Sequence, residues 1–168
     1  MATHRIPILG HGTAPDTSGN VFFEPYSIKA TNDVWQRGVF IFNDTATRIG
    51  LHGGFNVPKN YVGGAVFVPV WTSTAIAGDV EWDVDYRAVS GDDTESLDQA
   101  GSQESLNQND TAPSAAHERM EISIAATAAN FVADDEVEFT LFRDGTDAGD
   151  TIAATVILFG FLFEYTDA

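Results

Sequence analysis

The stretch "GDVEWDVDYRAVSGDDTESLDQ", Gly78–Gln99, decides how this chain folds. Its first half alternates strictly: Val80, Trp82, Val84, Tyr86 and Ala88 fall on one side, and Glu81, Asp83, Asp85 and Arg87 on the other. A period of two marks a β-strand with one face buried and one face in water. It predicts a strand over Asp79–Val89, with the three carboxylates on the solvated side and the aromatic residues holding a core.

The same signal recurs along the chain between clusters of turn residues. Strands are expected at Val21–Ile28, Val34–Phe42, Ala46–His52, Gly64–Ser73, Asp79–Val89, Arg119–Ala126, Glu136–Arg143 and Thr151–Thr166. Separators such as "HGG" at His52, "PKNYVGG" at Pro58 and "DGTDAGD" at Asp144 carry the Gly, Pro, Asn and Asp that turns require. About eight strands without a convincing helix predict an all-β, antiparallel β-sandwich of jelly-roll type. At 168 residues the chain fits one such domain. Residues 1–19 read as an extended N-terminal arm, and residues 20–168 as the sandwich. Within it, residues 90–117 read as a long polar loop, because Leu97 and Leu106 are its only large apolar residues.

Charge narrows the function classes. Eight basic residues stand against 25 acidic ones, for a net charge of −17. Such a chain repels phosphate backbones and anionic lipid, so neither nucleic acid nor membrane is an expected partner. There is no cysteine, hence no disulfide, thiolate nucleophile or cysteine-bound metal. The longest apolar run, Ile152–Phe163, is too short for a membrane helix, and no targeting segment stands out.

Two segments carry apolar residues at both parities. Ile152, Ala154, Val156, Leu158 and Leu162 oppose Ile157, Phe159, Phe161, Phe163 and Tyr165. Likewise Val66, Val68 and Val70 oppose Ala65, Phe67 and Trp71. A sandwich strand normally wets one face, so a second apolar face calls for a cover. That predicts an oligomer, with the arm crossing to a neighbour.

Three patterns carry residues capable of chemistry. Glu81, Asp83 and Asp85 lie about 6.5–7 Å apart along a strand, near the spacing of glycosidase carboxylate pairs. The run is close to the "ExDxE" strand of laminarinase-like glycoside hydrolases, which are jelly rolls, but has Asp85 where they carry Glu. Trp82 and Tyr86 also point away, and a solvated face is the plainer reading. Asp144, Asp147 and Asp150 recur every third residue, and carboxylate oxygens suit Ca²⁺; the spacing departs from the EF-hand loop, and an Asp/Gly hairpin explains it. His4, His11, His52 and His117 are scattered without ligand spacing. No catalytic residue, cofactor or metal is therefore expected.

Larger blocks carry a resemblance. A "P-x-x-Y-x-G-G" turn (Pro58, Tyr61, Gly63, Gly64) precedes a strand bearing Trp71. A "GD-x-x-W" strand (Gly78, Asp79, Trp82) follows. An Arg143, Asp147, Asp150, Thr151 hairpin leads into the last strand. The set resembles a group of tailed-bacteriophage jelly-roll virion proteins. The resemblance implies a non-enzymatic capsid decoration (cement) protein on the outer capsid surface, made in the host cytoplasm. It further implies a homotrimer bound to the major capsid protein. Phe67, Trp71, Phe159, Phe161 and Phe163 would serve core and inter-subunit packing, and Arg5, Ile6, Ile8 and Leu9 of the arm would touch the capsid. The alternative is a trimeric head-fibre or tail-fibre module that binds a host receptor or glycan.

Overall fold

Alternation along the chain is realised as two antiparallel sheets packed face to face. The computed structural model describes residues 1–10, 12–26, 37–90, 96–99 and 101–167. Among these are twelve strands: β1 (Thr3–Pro7), β2 (Ala14–Pro15), β3 (Val21–Tyr26), β4 (Arg37–Phe42), β5 (Arg48–Asn56), β6 (Tyr61–Ser73), β7 (Asp79–Val89), β8 (Glu104–Thr111), β9 (Met120–Glu121), β10 (Ile124–Ala125), β11 (Glu136–Asp144) and β12 (Val156–Asp167). One sheet has the order β10-β6-β12-β4-β3, with β1 also on β12 and β9 also on β6; the other runs β2-β5-β11-β7-β8. The chain is thus an all-β, two-sheet, jelly-roll-like sandwich, as the alternation implies. The expected end at Ile28, the expected start at Val34, His11 and the acidic residues Asp92, Asp93 and Glu95 lie outside the described residues.

The core is where the two inner faces meet. Val80, Trp82, Val84 and Tyr86 of β7 are all buried, facing Phe67, Trp71, Phe161 and Phe163 of the opposite sheet. Trp71 and Trp82 meet edge to face at 6.3 Å, Phe67 and Phe161 stack at 5.6 Å, and Tyr86 stacks on Phe131 at 4.9 Å. Fully burying a large apolar side chain stabilises the fold by roughly 1.5–3 kcal/mol, so this aromatic layer supplies much of the cohesion.

Three expectations need correction. The first concerns β12. Its pairing with β6 slips between Leu158 and Gly160, a bulge that inserts one residue and reverses the parity of everything after it. Val156 and Leu158 before the bulge, and Phe161, Phe163 and Tyr165 after it, therefore all belong to one core. The two apolar faces read from a strict period of two are largely one face. Ile157 and Phe159 remain outside, in a small cluster with Val39 and Ile41, and Leu162 is half-buried outside both clusters.

The second concerns β6, whose outer Val68 and Val70 are buried within the single chain. Arg5 on β1 donates from Nε to Glu164 (2.7 Å) and from Nη1 to Glu121 on β9 (3.0 Å). It thereby stretches over β12 and β6, which lie between those two strands. A long arginine stem can cover apolar surface while its head stays wet.

The third concerns the polar segments. Residues 3–7 pair with β12 from Thr3↔Thr166 to Pro7↔Leu162, and Ile8 is buried in the core. Glu104–Thr111, inside the segment expected to be loop, is the edge strand β8, paired with β7 from Asp79↔Thr111 to Tyr86↔Glu104. Beside Leu106, which packs on the core, its inward Glu104 and Asp110 are polar because they serve the rim of that core. Asp110 accepts from Trp71 Nε1 at 2.8 Å, and Glu104 accepts from the Tyr86 hydroxyl and, at 3.0 Å, from Thr127 N.

Candidate functional site

The outer face of the five-stranded sheet carries a groove of about 710 Å³. Its floor comes from three adjacent strands: His52 and Gly54 on β5, Glu136, Glu138 and Thr140 on β11, and Asp85 and Arg87 on β7. Register places them side by side, with Glu138 opposite Gly54 on one flank and Arg87 on the other, and Thr140 opposite His52 and Asp85. Leu97, Gln99, Gly101 and Ser102 form one wall, and Gly12 contributes to the other.

Several contacts fix this surface. Arg87 donates from Nε (3.1 Å) and Nη2 (2.6 Å) to the Gly101 carbonyl and ties the wall to the floor. His52 Nδ1 shares a hydrogen bond with Thr140 Oγ1 at 2.9 Å, and Asn56 Nδ2 donates to Glu136 Oε2 at 2.7 Å. Gly54 leaves bare backbone between these side chains, so a ligand can approach the sheet closely. The inward Gly53 is needed for packing, since a Cβ there would lie 2.5 Å from the Phe139 ring.

Beyond Asp85 the groove ends at a stacked block. The Phe142 ring lies over Gly50, where a Cβ would come within 2.7 Å of it, and the Arg48 guanidinium sits 3.7 Å from the ring centroid. Arg48 donates from Nε to Asp83 (2.8 Å) and from Nη1 to Asp85 (3.0 Å).

The carboxylates of the opening stretch are therefore not a solvated face. Glu81 and Asp83 are only 5% and 8% exposed, because the 144–150 hairpin and Arg48 fold over them. Burial, followed by the charges of Asp147 and Asp83, pushes Glu81 above the usual carboxylate range. Burial also raises Asp83, with Arg48 offsetting part of the effect. With two of the three clamped by one arginine and Glu81 enclosed, the trio does not form a substrate-facing acid and base pair; Asp85 alone lines the groove.

The other candidate residues have structural placements. Phe67, Trp71, Phe161 and Phe163 are wholly inside the single chain. Phe159 is half-buried under Arg37, 5.4 Å from its ring centroid, and with Leu9 lines a smaller, apolar depression of about 410 Å³ beside Phe23. Arg5 makes the ion pairs described above, Ile6 pairs with Phe163 and packs on the core, and Ile8 lies within it. Asp144 accepts from Thr146 N (2.9 Å) and Oγ1 (2.6 Å), Asp147 from Gly149 N (2.7 Å), and Asp150 holds Arg143. The three aspartates thus act separately, and among the described residues no group of three or more acidic or histidine side chains is placed to hold a metal ion. Of the groove residues, Asp85 and His52 stand out in the sequence, as part of a carboxylate trio and of a scattered set of histidines, and the others do not. The signal of the others is the polar parity of β5, β7 and β11, which any exposed sheet face shares.

Comparison with known proteins bears on the fold. No protein-family model matches this chain, and no curated protein matches it. Solved structures do. A family 35 carbohydrate-binding module from Clostridium thermocellum superposes with a TM-score of 0.56 at 10% identity, over 97% of this chain and 98% of that one. The K1 cleaved adhesin domain of Lys-gingipain from Porphyromonas gingivalis W83 gives 0.53 at 13% identity, covering 99% of each chain. The C-terminal family 6 carbohydrate-binding module of LamC, a marine laminarinase from Zobellia galactanivorans, gives 0.50 at 12% identity, over 98% of this chain and all of that one.

These findings overturn the capsid-decoration reading: the fold is that of carbohydrate-binding modules, with no family-level tie to phage proteins. The residues behind that resemblance do general work in a sandwich. Gly78 takes φ +92° against the Thr151 carbonyl, Asp79 O accepts from Thr151 N (2.8 Å) and Ile152 N (2.9 Å), and Arg143 grips Asp150. They lock a long hairpin onto the start of β7, a task set by the fold whatever the partner.

Proposed function

We propose that this chain is a non-catalytic glycan-binding module whose site is the groove across β5, β11 and β7. The observation that carries the reading is the groove itself: about 710 Å³ on a rigid sheet, open to solvent, with a bare glycine floor and hydroxyl, amide, carboxylate and guanidinium groups along it. Pockets of this size with convergent polar groups are the usual form of small-ligand sites. Sugars present many hydroxyls, which such a mixed set of donors and acceptors can match. The whole-chain likeness to two carbohydrate-binding modules supports the same reading at the level of fold.

The test is retention of the purified protein on immobilised neutral, amino and acidic glycans, followed by calorimetry with soluble oligosaccharides. Binding to at least one class is expected, weakened about tenfold or more by Arg87→Ala, which frees the wall and removes a donor. Failure to bind any of the three classes overturns the proposal, as does binding that Arg87→Ala and Thr140→Ala both leave unchanged.

A further inference from the structure

Resting on that reading, we infer that the groove selects glycans carrying free, protonated amino groups over neutral or acidic ones. Two features of the lining point there. The first is what the floor lacks: among the described residues its Tyr86 and Phe139 rings are 2% and 3% exposed and face the core, which leaves the His52 imidazole, hydrogen-bonded to Thr140, as its one exposed ring. Among the described residues a sugar ring in this groove meets no exposed Trp, Tyr or Phe face, so the broad apolar stacking that anchors neutral polysaccharides is not on offer from them. Binding must come from hydrogen bonds and charge.

The second is the sign of that charge. Asp85, Glu136 and Glu138 line the groove against a single guanidinium, Arg87. Arg87 aims both Nε and Nη2 at the Gly101 carbonyl, toward the wall. The nearby Arg48 is held by Asp83 and Asp85. Glu138 stands exposed at the centre of the floor, with no hydrogen bond or ion pair among the described residues. The groove thus presents an open carboxylate flanked by Glu136, with no free Lys or Arg among the described residues to receive an acid. A chain of net charge −17 adds a field that draws cations in and repels polyanions.

In a 2-amino-2-deoxy sugar the ammonium group stands beside ring hydroxyls. Glu138 takes the ammonium, Glu136 takes that of a neighbouring residue along the groove, and Thr140, Gln99 and Ser102 take hydroxyls. Gly54 admits the ring close to the backbone.

The experiment compares four hexasaccharides by calorimetry, at a pH where the amine is protonated and carboxylates are ionised: fully deacetylated glucosamine, N-acetylglucosamine, cellohexaose and hexagalacturonate. The glucosamine hexamer is expected to bind at least about tenfold tighter than its acetylated counterpart, which differs chiefly in charge. Its affinity should fall several-fold as salt is raised toward about 0.5 M. Glu138→Gln should weaken it about three- to tenfold, and Glu136→Gln/Glu138→Gln further. Both positions are exposed, so the variants keep the fold, which their unfolding midpoints verify. Equal or tighter binding of the neutral or acidic hexamers overturns the amine selectivity while leaving the glycan-binding proposal standing. So does glucosamine binding that the glutamine variants do not change. If none of the four binds and the broader panel also fails, both proposals fall.

Discussion

Arg143 grips Asp150 with two parallel hydrogen bonds, Nε to Oδ2 at 2.9 Å and Nη2 to Oδ1 at 2.8 Å, and the arginine has no exposed surface. The same guanidinium donates to the carbonyls of Ile152 (2.7 Å), Ala154 (2.8 Å) and Asn43 (3.3 Å) and to Asp44 (3.2 Å). One cation thus holds the hairpin between β11 and β12 and the loop after β4. Removing it leaves a buried carboxylate and several carbonyls unsatisfied. Arg143→Met is expected to destabilise by about 3–5 kcal/mol, read from guanidinium denaturation. A loss below about 1 kcal/mol would show that the network is dispensable.

Glu81 offers the opposite case, a charge the fold tolerates at a cost. Its pKa in the folded protein lies above the unfolded value because of burial and then Asp147 and Asp83. The folded state therefore holds its proton more tightly, and this group's contribution falls as pH rises through the folded pKa. Glu81→Gln removes the charge and keeps the size of the side chain. The variant should be more stable than the parent at neutral pH by on the order of 1 kcal/mol, with the gap closing on acidification. Denaturation curves at neutral and acidic pH check this; a less stable variant at neutral pH contradicts it.

Glycines separate by what a methyl group would meet. At Gly50 a Cβ falls 2.7 Å from the Phe142 ring, on which the Arg48 guanidinium stacks, so Gly50→Ala should cost about 1–3 kcal/mol. At Gly10 nothing lies within 4 Å, and Gly10→Ala should change stability by less than about 0.5 kcal/mol. Thermal unfolding of the two variants side by side is the measurement, and similar midpoints would remove the stacked block from the account.

Net charge sets a response to salt. With 25 acidic residues against eight basic ones, self-repulsion opposes the compact state. Ions shorten the range of that repulsion to about 3 Å at 1 M. The melting temperature should rise by several degrees between low salt and about 1 M KCl. A fall would mean that the ion pairs of Arg5 and Arg48 outweigh the repulsion.

Much of the sandwich was legible because period two is a local property. The inward set Val80, Trp82, Val84 and Tyr86 could be named from "VEWDVDY" alone, since a strand buries alternate residues wherever it sits. The turns at Pro58, Gly78 and Asp144 were equally plain, because Gly, Pro and Asp restrict the backbone in place. Strand β8 was not legible: "ESLNQNDT" has one large apolar residue, and its inward Glu104 and Asp110 serve Tyr86 and Trp71, residues distant in sequence.

By itself the sequence determined that this is an all-β, strongly acidic sandwich, and which side of β7 builds its core. Tertiary structure decided the rest. One bulge at Leu158–Gly160 turned two apparent apolar faces into one, because parity carries along a strand only while the register holds. The 144–150 hairpin and Arg48 buried Glu81 and Asp83, which the sequence leaves on the open side. The groove belongs to the same class of fact: Glu138, Arg87, Gly54 and Thr140 meet because β11 pairs with both β5 and β7, and no spacing along the chain encodes that meeting.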